Sequence, residues 1–402
     1  MKKIAILVFF TVGFFVHVWA CTGLIAGKQA TVDGSVLVTY SADSHTLYGA
    51  LTSSPAADWP KGSMRSIVEW DTNKPLGEIE QVEHTYAVMG NMNEHQLTVV
   101  ESTWGGRPEL VDTTGIIDYG SLMQLALERA KTAREAIKVM TGLVKKYGYY
   151  SSGESFTIAD PNEAWILDLI GKGPGRRGAV WVAVRIPDDC IAGHANYPRI
   201  HKIPMDDKEN CLYSPDVISF AREMGYFDGL NKDFSFARAY SPADFGALRA
   251  CDARVWSFFR KYDSTMDNYL PYVNGESAEP FPLYVKPSRK LSVQDMKEAM
   301  RDHFEDTPFD MTQDVGAGPF KVPYRFRPMS FEVDGKSYCM ERAIATQQTG
   351  FTLVGQMRNW LPDPVGGVLW FGVDDANTCV YIPMYCGITV SYTHLRAHET
   401  LA

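Results

Sequence analysis

The feature that most constrains this chain is an apolar leader that ends directly before a cysteine. Lys2 and Lys3 are followed by an apolar run over residues 4–16, and the small residue Ala20 precedes Cys21. A basic start, a short apolar stretch and a small residue at the end are typical of a secretory signal peptide. The run is shorter than the roughly 20 residues that a membrane span needs. We therefore predict that residues 1–20 are a signal peptide whose removal leaves Cys21 as the first residue of the mature protein.

Export to the periplasm or the extracellular space changes how the cysteines are interpreted. In an oxidising compartment six cysteines could pair as disulfides, and an odd number leaves at least one free thiol. Cys21 is the candidate for the free thiol because it follows the expected cleavage point. The seven cysteines are Cys21, Cys190, Cys211, Cys251, Cys339, Cys379 and Cys386.

The charge balance excludes one large class of function. The 402 residues carry a net charge of −9, with 45% hydrophobic and 22% charged residues. These values are typical of a globular protein, and the absence of a basic excess argues against a nucleic-acid partner. The sequence has no zinc-binding His-Glu-x-x-His helix, and the glycine-rich residues 171–178 join two predicted strands rather than a strand and a helix. We expect no cofactor, no metal and no membrane span, and a homo-oligomer is compatible with the sequence.

The order of the predicted elements indicates one α+β domain. Strands at the start are followed by helices and then by strands in the last hundred residues, without a βαβ rhythm. An Asp33-Gly34 turn predicts an early hairpin. The predicted helices span 118–130, 132–146 with a Thr132 and Glu135 capping box, a segment that begins at Ser214 and Pro215, 247–260, and 292–304.

The end of the chain departs from this pattern. An apolar strand at 378–385 is followed almost at once by residues 390–402, which have no partner pattern and resemble a read-through into adapter sequence. We therefore predict a domain over residues 21–389 that is incomplete at its C-terminus, and a non-native tail at 390–402.

As a new N-terminus, Cys21 would place a thiol and an α-amine on one residue. The unperturbed pKa of such an amine is roughly 7.7–8.0 and that of the thiol about 8.5. A neutral amine could take the thiol proton and later protonate a leaving amine, so no histidine is needed. Two alternatives stay open at this point. Cys21 could be lipidated, since lipoprotein signals also end just before a cysteine, or it could form a disulfide.

The residues after Cys21 resemble the PepD-like cysteine dipeptidases, a family of N-terminal nucleophile (Ntn) hydrolases related to penicillin V acylase and bile salt hydrolase. The resemblance begins with Cys21-Thr22-Gly23 and continues, in order, to the end of the predicted domain. Each segment is weakly specific alone, but the order from a cleavable cysteine is more specific. The segments are residues 21–35, 40–45, 92–94, 158–160, 163–165, 181–183, 185–189, 194–196, 254–256 and 370–375.

The resemblance implies an αββα four-layer sandwich and roles for four residues. Cys21 would be the nucleophile, with its own amine as the base, and Asp43 would hold that amine. Asn196 would be an oxyanion donor, and Arg254 would lie near the site on a helix. Many members of the wider superfamily have an arginine three positions before the aspartate, where this chain has Tyr40.

The implied function is hydrolysis of dipeptides or short peptides outside the cytoplasm. The alternatives are an N-acyl amide hydrolase of the same superfamily and a non-enzymatic lipoprotein anchored through an acylated Cys21. Because peptide substrates end in charged groups, we expect charged residues around the substrate pocket.

Overall fold

The computed structural model describes residues 21–44, 49–325, 330–339 and 341–388. The predicted signal peptide at 1–20 and the predicted tail at 390–402 lie outside the described residues. Helices and antiparallel sheets share the described chain, which confirms the α+β class. In chain order the strands are β1 (Gly23–Ala26), β2 (Val36–Asp43), β3 (Ser53–Ser54), β4 (Ala57–Asp58), β5 (Met64–Val68), β6 (Pro75–Glu80), β7 (His84–Thr85), β8 (Val88–Met89), β9 (Met92–Asn93), β10 (Thr98–Trp104), β11 (Gly153–Ala159), β12 (Ala164–Gly171), β13 (Ala179–Ile186), β14 (Ile191–His194), β15 (Cys211–Tyr213), β16 (Tyr284–Val285), β17 (Ser330–Val333), β18 (Lys336–Cys339), β19 (Thr349–Met357), β20 (Val368–Val373) and β21 (Ile382–Tyr385).

Two large antiparallel sheets organise these strands. The seven-stranded sheet has the order β16-β14-β1-β2-β19-β20-β21, and the eight-stranded sheet has the order β15-β13-β12-β11-β10-β9-β8-β3. Strand β1 lies in the interior of the first sheet, hydrogen-bonded to β14 on one side and β2 on the other. The predicted Asp33-Gly34 turn lies in the connection from β1 to β2, where Gly34 has a φ of +82°. The first described residue therefore leads directly into a central strand.

The sheets face each other across a shared apolar core. Ile25, Val38 and Leu353 of the seven-stranded sheet pack in one cluster with Val100 and Ile166 of the eight-stranded sheet. All five side chains are buried. Burial of side chains of this size contributes about 1.5–3 kcal/mol each, relative to an exposed position. The two sheets are thus held together mainly by their inner faces.

Helices cover the outer faces of both sheets. Their bounds are α1 (Tyr119–Arg129), α2 (Ala133–Tyr147), α3 (Val217–Glu223), α4 (Phe236–Tyr240), α5 (Ala253–Arg260), α6 (Leu270–Val273), α7 (Val293–Ala299) and α8 (Asp363–Gly366). Apolar residues of α1 and α2 pack with Val99 and Ile158 of the eight-stranded sheet. Apolar residues of α5 and α7 pack with Leu24 and Val354 of the seven-stranded sheet.

The predicted helix starts are confirmed where a side chain caps the helix. Ser292 and Asp295 form a capping box at the start of α7. At the start of α2 only half of the predicted capping box forms: Thr132 accepts from the Glu135 amide, but the Glu135 carboxylate accepts from the Lys131 amide instead of the Thr132 amide. Helix α7 ends at Ala299, five residues before the predicted end. The predicted start at Ser214 and Pro215 was wrong, because α3 begins at Val217.

The helix predicted over 247–260 has two geometries. Residues 247–252 form a π-helical turn, and α5 follows directly from Ala253. Such π-helical turns are often found at functional sites. Helix α5 thereby places Arg254 at its second position.

Six of the seven cysteines have described side chains, and these six do not form the disulfides that export made plausible. Cys21, Cys190, Cys211, Cys251, Cys379 and Cys386 are free thiols. They lie on separate elements of the fold, so the number of cysteines in the sequence did not show whether they would pair. Over the same described residues, the helices lack the length and apolar character that a bilayer crossing requires.

Candidate active site

Cys21 lies in the wall of a cavity of about 180 Å³. Only 4% of the Cys21 surface is exposed. Carboxylates, tyrosines, neutral polar and apolar side chains form the rest of the wall, and none of the described lining residues is a lysine, arginine or histidine. The lining residues are Cys21, Tyr40, Ala42, Asp43, Ser44, Ala50, Thr52, Trp70, Asp71, Gly90, Asn91, Glu101, Tyr119, Gly120, Met123, Gln124, Leu127, Phe351 and Phe371.

The thiol of Cys21 is held in its protonated form by its surroundings. Its Sγ atom is 3.6 Å from the hydroxyl oxygen of Tyr40. Burial raises the thiol pKa well above its usual value, and the negative charges of Glu101 and Asp43 raise it further, against smaller opposing effects of hydrogen bonds from the Asp43 backbone and Tyr40. A thiol with a raised pKa needs a nearby base before it can act as a nucleophile.

Arg254 fixes the backbone of the cysteine. Its Nη1 donates to the Cys21 carbonyl oxygen at 2.8 Å and to the Thr22 hydroxyl at 2.7 Å. Its Nε donates to the Ala250 carbonyl at 2.8 Å in the π-helical turn. The guanidinium is 99% buried, and burial lowers its pKa to about 10. The predicted proximity of Arg254 to Cys21 is therefore observed, and its contact is with the backbone of Cys21 rather than with the thiol.

Asn196 is joined to the same arginine. Nη2 of Arg254 donates to the Asn196 side-chain oxygen at 2.8 Å, and the Asn196 side-chain nitrogen donates to the Thr103 carbonyl at 2.6 Å. Asn196 follows β14 and has a left-handed backbone with φ of 57°, a conformation that asparagine tolerates better than most residues. Asn196 and Arg254 are not among the described residues of the cavity wall. The arginine thus links Asn196 to the residue that carries the thiol.

Asp43 ends β2 next to Cys21, and its carboxylate is well bonded. It accepts hydrogen bonds from the Thr349 hydroxyl at 2.6 Å and from the Ser41 hydroxyl at 3.1 Å. It also forms a buried ion pair with Arg342. Sequence analysis missed Arg342, because 299 positions separate it from Asp43 and no local pattern marks it.

A group of acidic and phenolic side chains forms the wall beside the thiol. The Tyr40 hydroxyl donates to Oε1 of Glu101, and the Tyr119 hydroxyl donates to Asp71 at 2.8 Å. Partial burial raises the pKa of Asp71 to about 6. Sequence analysis expected charged residues at the pocket but identified neither Glu101 nor Asp71, because both lie in segments with no recognisable motif.

A second carboxyl group lies next to Glu101. Glu154 is fully buried on β11, and the Thr103 hydroxyl donates to its Oε2 at 3.1 Å. Burial raises the Glu154 pKa well above its usual value, and the charge of Glu101 and a hydrogen bond to that carboxylate raise it further. Burial and the neighbouring carboxylate both favour the protonated form of Glu154.

The two histidines that the sequence places close together have structural positions. His194 lies between the sheets, with Nδ1 2.6 Å from the Ser102 hydroxyl and Nε2 2.8 Å from the Thr157 hydroxyl. His201 is 3.2 Å from the Ser235 hydroxyl through Nδ1. Both histidines therefore hydrogen-bond with hydroxyl groups. Across the described residues, His, Cys, Asp and Glu form no group of three that could hold a metal ion.

A buried thiol in a cavity wall, directly before a strand of two facing antiparallel sheets, is compatible with a hydrolase of the cysteine type. Comparison with known proteins agrees with this class. The model of peptidase family C69 matches residues 20–400. The chain belongs to this family, and it is a peptidase that acts on peptide bonds.

Several curated relatives are similar over nearly the whole chain. A probable dipeptidase of Salmonella dublin is 27% identical, with 92% of this chain and 81% of the relative covered. Dipeptidase A of Lactobacillus helveticus is 25% identical, with 92% and 76% covered. A dipeptidase of Bifidobacterium longum is 23% identical, with 95% and 74% covered.

Proposed function

We propose that this protein is an exported cysteine dipeptidase whose nucleophile is the N-terminal Cys21 of the mature chain. The observation that carries the proposal is the buried Cys21 thiol in the cavity wall, on a residue whose carbonyl oxygen is held by Arg254. Membership of peptidase family C69 supports the reaction class, and the names of the relatives support dipeptides as substrates.

The state of the thiol supports the α-amine of Cys21 as the general base. The raised thiol pKa means that few molecules carry a thiolate at neutral pH. The described lining residues of the cavity include no histidine or lysine that could accept the proton. Removal of residues 1–20 would create an amine on the same residue, with an unperturbed pKa of roughly 7.7–8.0. The family match begins at residue 20, one position before Cys21, which is compatible with this cleavage point.

The proposed reaction has two steps. The amine takes the thiol proton as Sγ attacks the carbonyl carbon of the substrate, and hydrogen-bond donors stabilise the resulting tetrahedral oxyanion. Asn196 is our candidate donor, but it lies behind the cavity wall and its side-chain nitrogen donates to the Thr103 carbonyl, so it would have to turn toward the substrate to serve. The α-ammonium returns the proton to the leaving nitrogen, the C–N bond breaks, and the first product departs as an amine. Water then hydrolyses the thioester, releases the second product as a carboxylic acid and restores the thiol.

The neighbours of Cys21 suit this assignment. We assign Asp43 the role of holding the α-amine, because its carboxylate lies next to Cys21 and is fixed by Arg342 and Thr349. The hydroxyl of Tyr40 is within reach of Sγ, at the position where many superfamily members have an arginine. We also assign the layered sheets and helices to the Ntn-hydrolase αββα sandwich.

The same experiments would distinguish the proposed function from two alternative functions. An N-acyl amide hydrolase would use the same thiol on a substrate without a free amine. A lipid-anchored lipoprotein would carry an acyl group on Cys21, and the enclosed position of the thiol in the cavity argues against it, since only 4% of the residue is exposed.

The test combines the mass of the mature N-terminus with dipeptide turnover. We expect a mature chain that begins with an unmodified Cys21, and a Cys21→Ala variant that loses at least about 1,000-fold in kcat/KM, as expected for loss of a nucleophile. Cys190→Ala is the matched control, because Cys190 is also a buried free thiol but is not a lining residue of the cavity. A diacylglyceryl group on Cys21, or full turnover by Cys21→Ala, would refute the proposal.

A further inference from the structure

We propose that Glu101, supported by the Tyr40 hydroxyl, binds the free α-ammonium group of the substrate and so selects peptides with one unblocked residue before the cleaved bond. This inference rests on the proposed function, because it takes the Cys21 thiol as the attacking group. It adds a specificity-determining residue that no sequence motif marked.

The first argument is an unmatched buried charge. Glu101 is 98% buried, lines the cavity, and uses Oε1 to accept the hydrogen bond from Tyr40. Its other oxygen, Oε2, has no N–H or protein hydroxyl donor among the described residues. The neighbouring Glu154 can donate a hydrogen bond to Glu101 when it is protonated, but it brings no positive charge. A buried carboxylate without a cation is costly, so the wall is poised to accept a cationic group.

The second argument is the charge of the whole cavity. Three carboxylates line it, those of Asp43, Asp71 and Glu101, and none of the described lining residues is basic. Arg342 neutralises Asp43 from outside the cavity. The Asp71 carboxylate accepts a hydrogen bond from the neutral hydroxyl of Tyr119. The remaining negative potential favours an ammonium group and disfavours a carboxylate in this part of the cavity.

The third argument is distance. In a peptide with a free amine, the α-nitrogen lies about 2.5 Å from the carbonyl carbon of the same residue. That carbon must come within about 3–3.5 Å of the attacking sulfur. The α-nitrogen is then at most about 6 Å from Sγ. The Tyr40 hydroxyl oxygen is 3.6 Å from Sγ. The Tyr40 hydroxyl donates to Oε1 of Glu101, so this carboxylate oxygen also lies at most about 6 Å from Sγ. A longer N-terminal segment would carry its amine beyond this reach.

The experiment compares two substrates that differ in a single group. Alanyl-alanine has the α-ammonium, and propionyl-alanine replaces it with hydrogen. We expect the wild-type enzyme to prefer alanyl-alanine by at least about 100-fold in kcat/KM, because a site built for a charged hydrogen-bonding group discriminates strongly against its absence. Glu101→Gln should lose most of this preference, because its kcat/KM for alanyl-alanine falls. Its kcat/KM for propionyl-alanine should change only a few-fold.

Glu128→Gln is the matched control, because Glu128 is also a buried glutamate but pairs with Arg65 and is not in the cavity wall. It should retain the preference for alanyl-alanine. Equal wild-type turnover of the two substrates would overturn the ammonium site and leave the Cys21 mechanism intact. Equal losses of kcat/KM on both substrates in Glu101→Gln would also overturn it, since Glu101 would then support the enzyme's structure or catalysis without contacting the ammonium group. Turnover of alanyl-alanine that survives Cys21→Ala would instead refute the proposed function.

Discussion

Acidification should destabilise this protein through His194, the histidine between the two sheets. Its ring nitrogens face the Ser102 and Thr157 hydroxyls of the eight-stranded sheet, while the residue itself belongs to the seven-stranded sheet. Gly23 leaves room for the ring, since a Cβ there would lie 2.8 Å from Nε2. Burial, and secondarily the charge of Arg254, lowers the pKa of His194 from 6.5 to about 3.

The sign and size of the effect follow from this pKa. The unfolded chain takes up a proton near pH 6.5, whereas the folded chain keeps His194 neutral down to about pH 3. The stability that the neutral histidine provides is therefore complete above pH 6.5 and is lost progressively as the pH falls toward 3. Each pH unit in this interval costs about 1.4 kcal/mol. Between pH 7 and pH 5 the loss is about 2 kcal/mol from His194 alone.

The measurement is the free energy of unfolding from urea titrations at pH 7 and pH 5, for the wild type and for His194→Gln. Glutamine keeps a donor and an acceptor but does not titrate. The variant should be less stable at pH 7, yet its stability should fall by about 2 kcal/mol less between the two pH values. The other titratable groups contribute equally to the pH dependence of both proteins, so their contributions cancel in this comparison. These groups include His201, because burial also lowers its pKa to about 3. An identical pH dependence in both proteins would refute the reasoning.

Two further predictions concern the residues around the thiol. Arg254→Lys keeps the charge but has three donors where the guanidinium uses five, so we expect at least about 2 kcal/mol of lost stability and a tenfold or larger fall in kcat. Thermal unfolding and steady-state kinetics would measure this, and wild-type values for both would contradict the role of Arg254. In the chain that retains residues 1–20, the raised thiol pKa predicts slow alkylation of Cys21 by iodoacetamide at pH 7, with a rate that increases as the pH rises. Peptide mass spectrometry would follow the reaction in the uncleaved and cleaved chains, and equal rates would argue against the amine as base.

Local patterns predicted the elements of the fold better than their ends. The caps at Thr132 and Ser292 act within one turn, so sequence alone identifies them. The sequence predictions missed the end of α7 at Ala299 and the start of α3 at Val217, where no side chain caps the helix. The π-helical turn before Arg254 has no sequence signature of its own.

The site shows the same division between local and distant information. The proximity of Cys21 and Asp43 could be predicted because they lie at the open end of the hairpin formed by β1 and β2. The proximity of Arg254 came only from the family resemblance, since 233 positions separate it from Cys21. Glu101 could not be predicted because its role depends on the Tyr40 hydroxyl, which comes from the other sheet.

The interior position of strand β1 has a consequence for catalysis at a chain end. Terminal residues of most domains fray, which would blur the position of any reactive group that they carry. Here the strand that follows Cys21 is hydrogen-bonded on both sides, and a buried guanidinium binds its first carbonyl. A nucleophile created at the end of the mature chain would therefore be as well ordered as one in the middle of a sheet. The entropy of positioning it would be lost during folding, before a substrate arrives, rather than at the moment of attack.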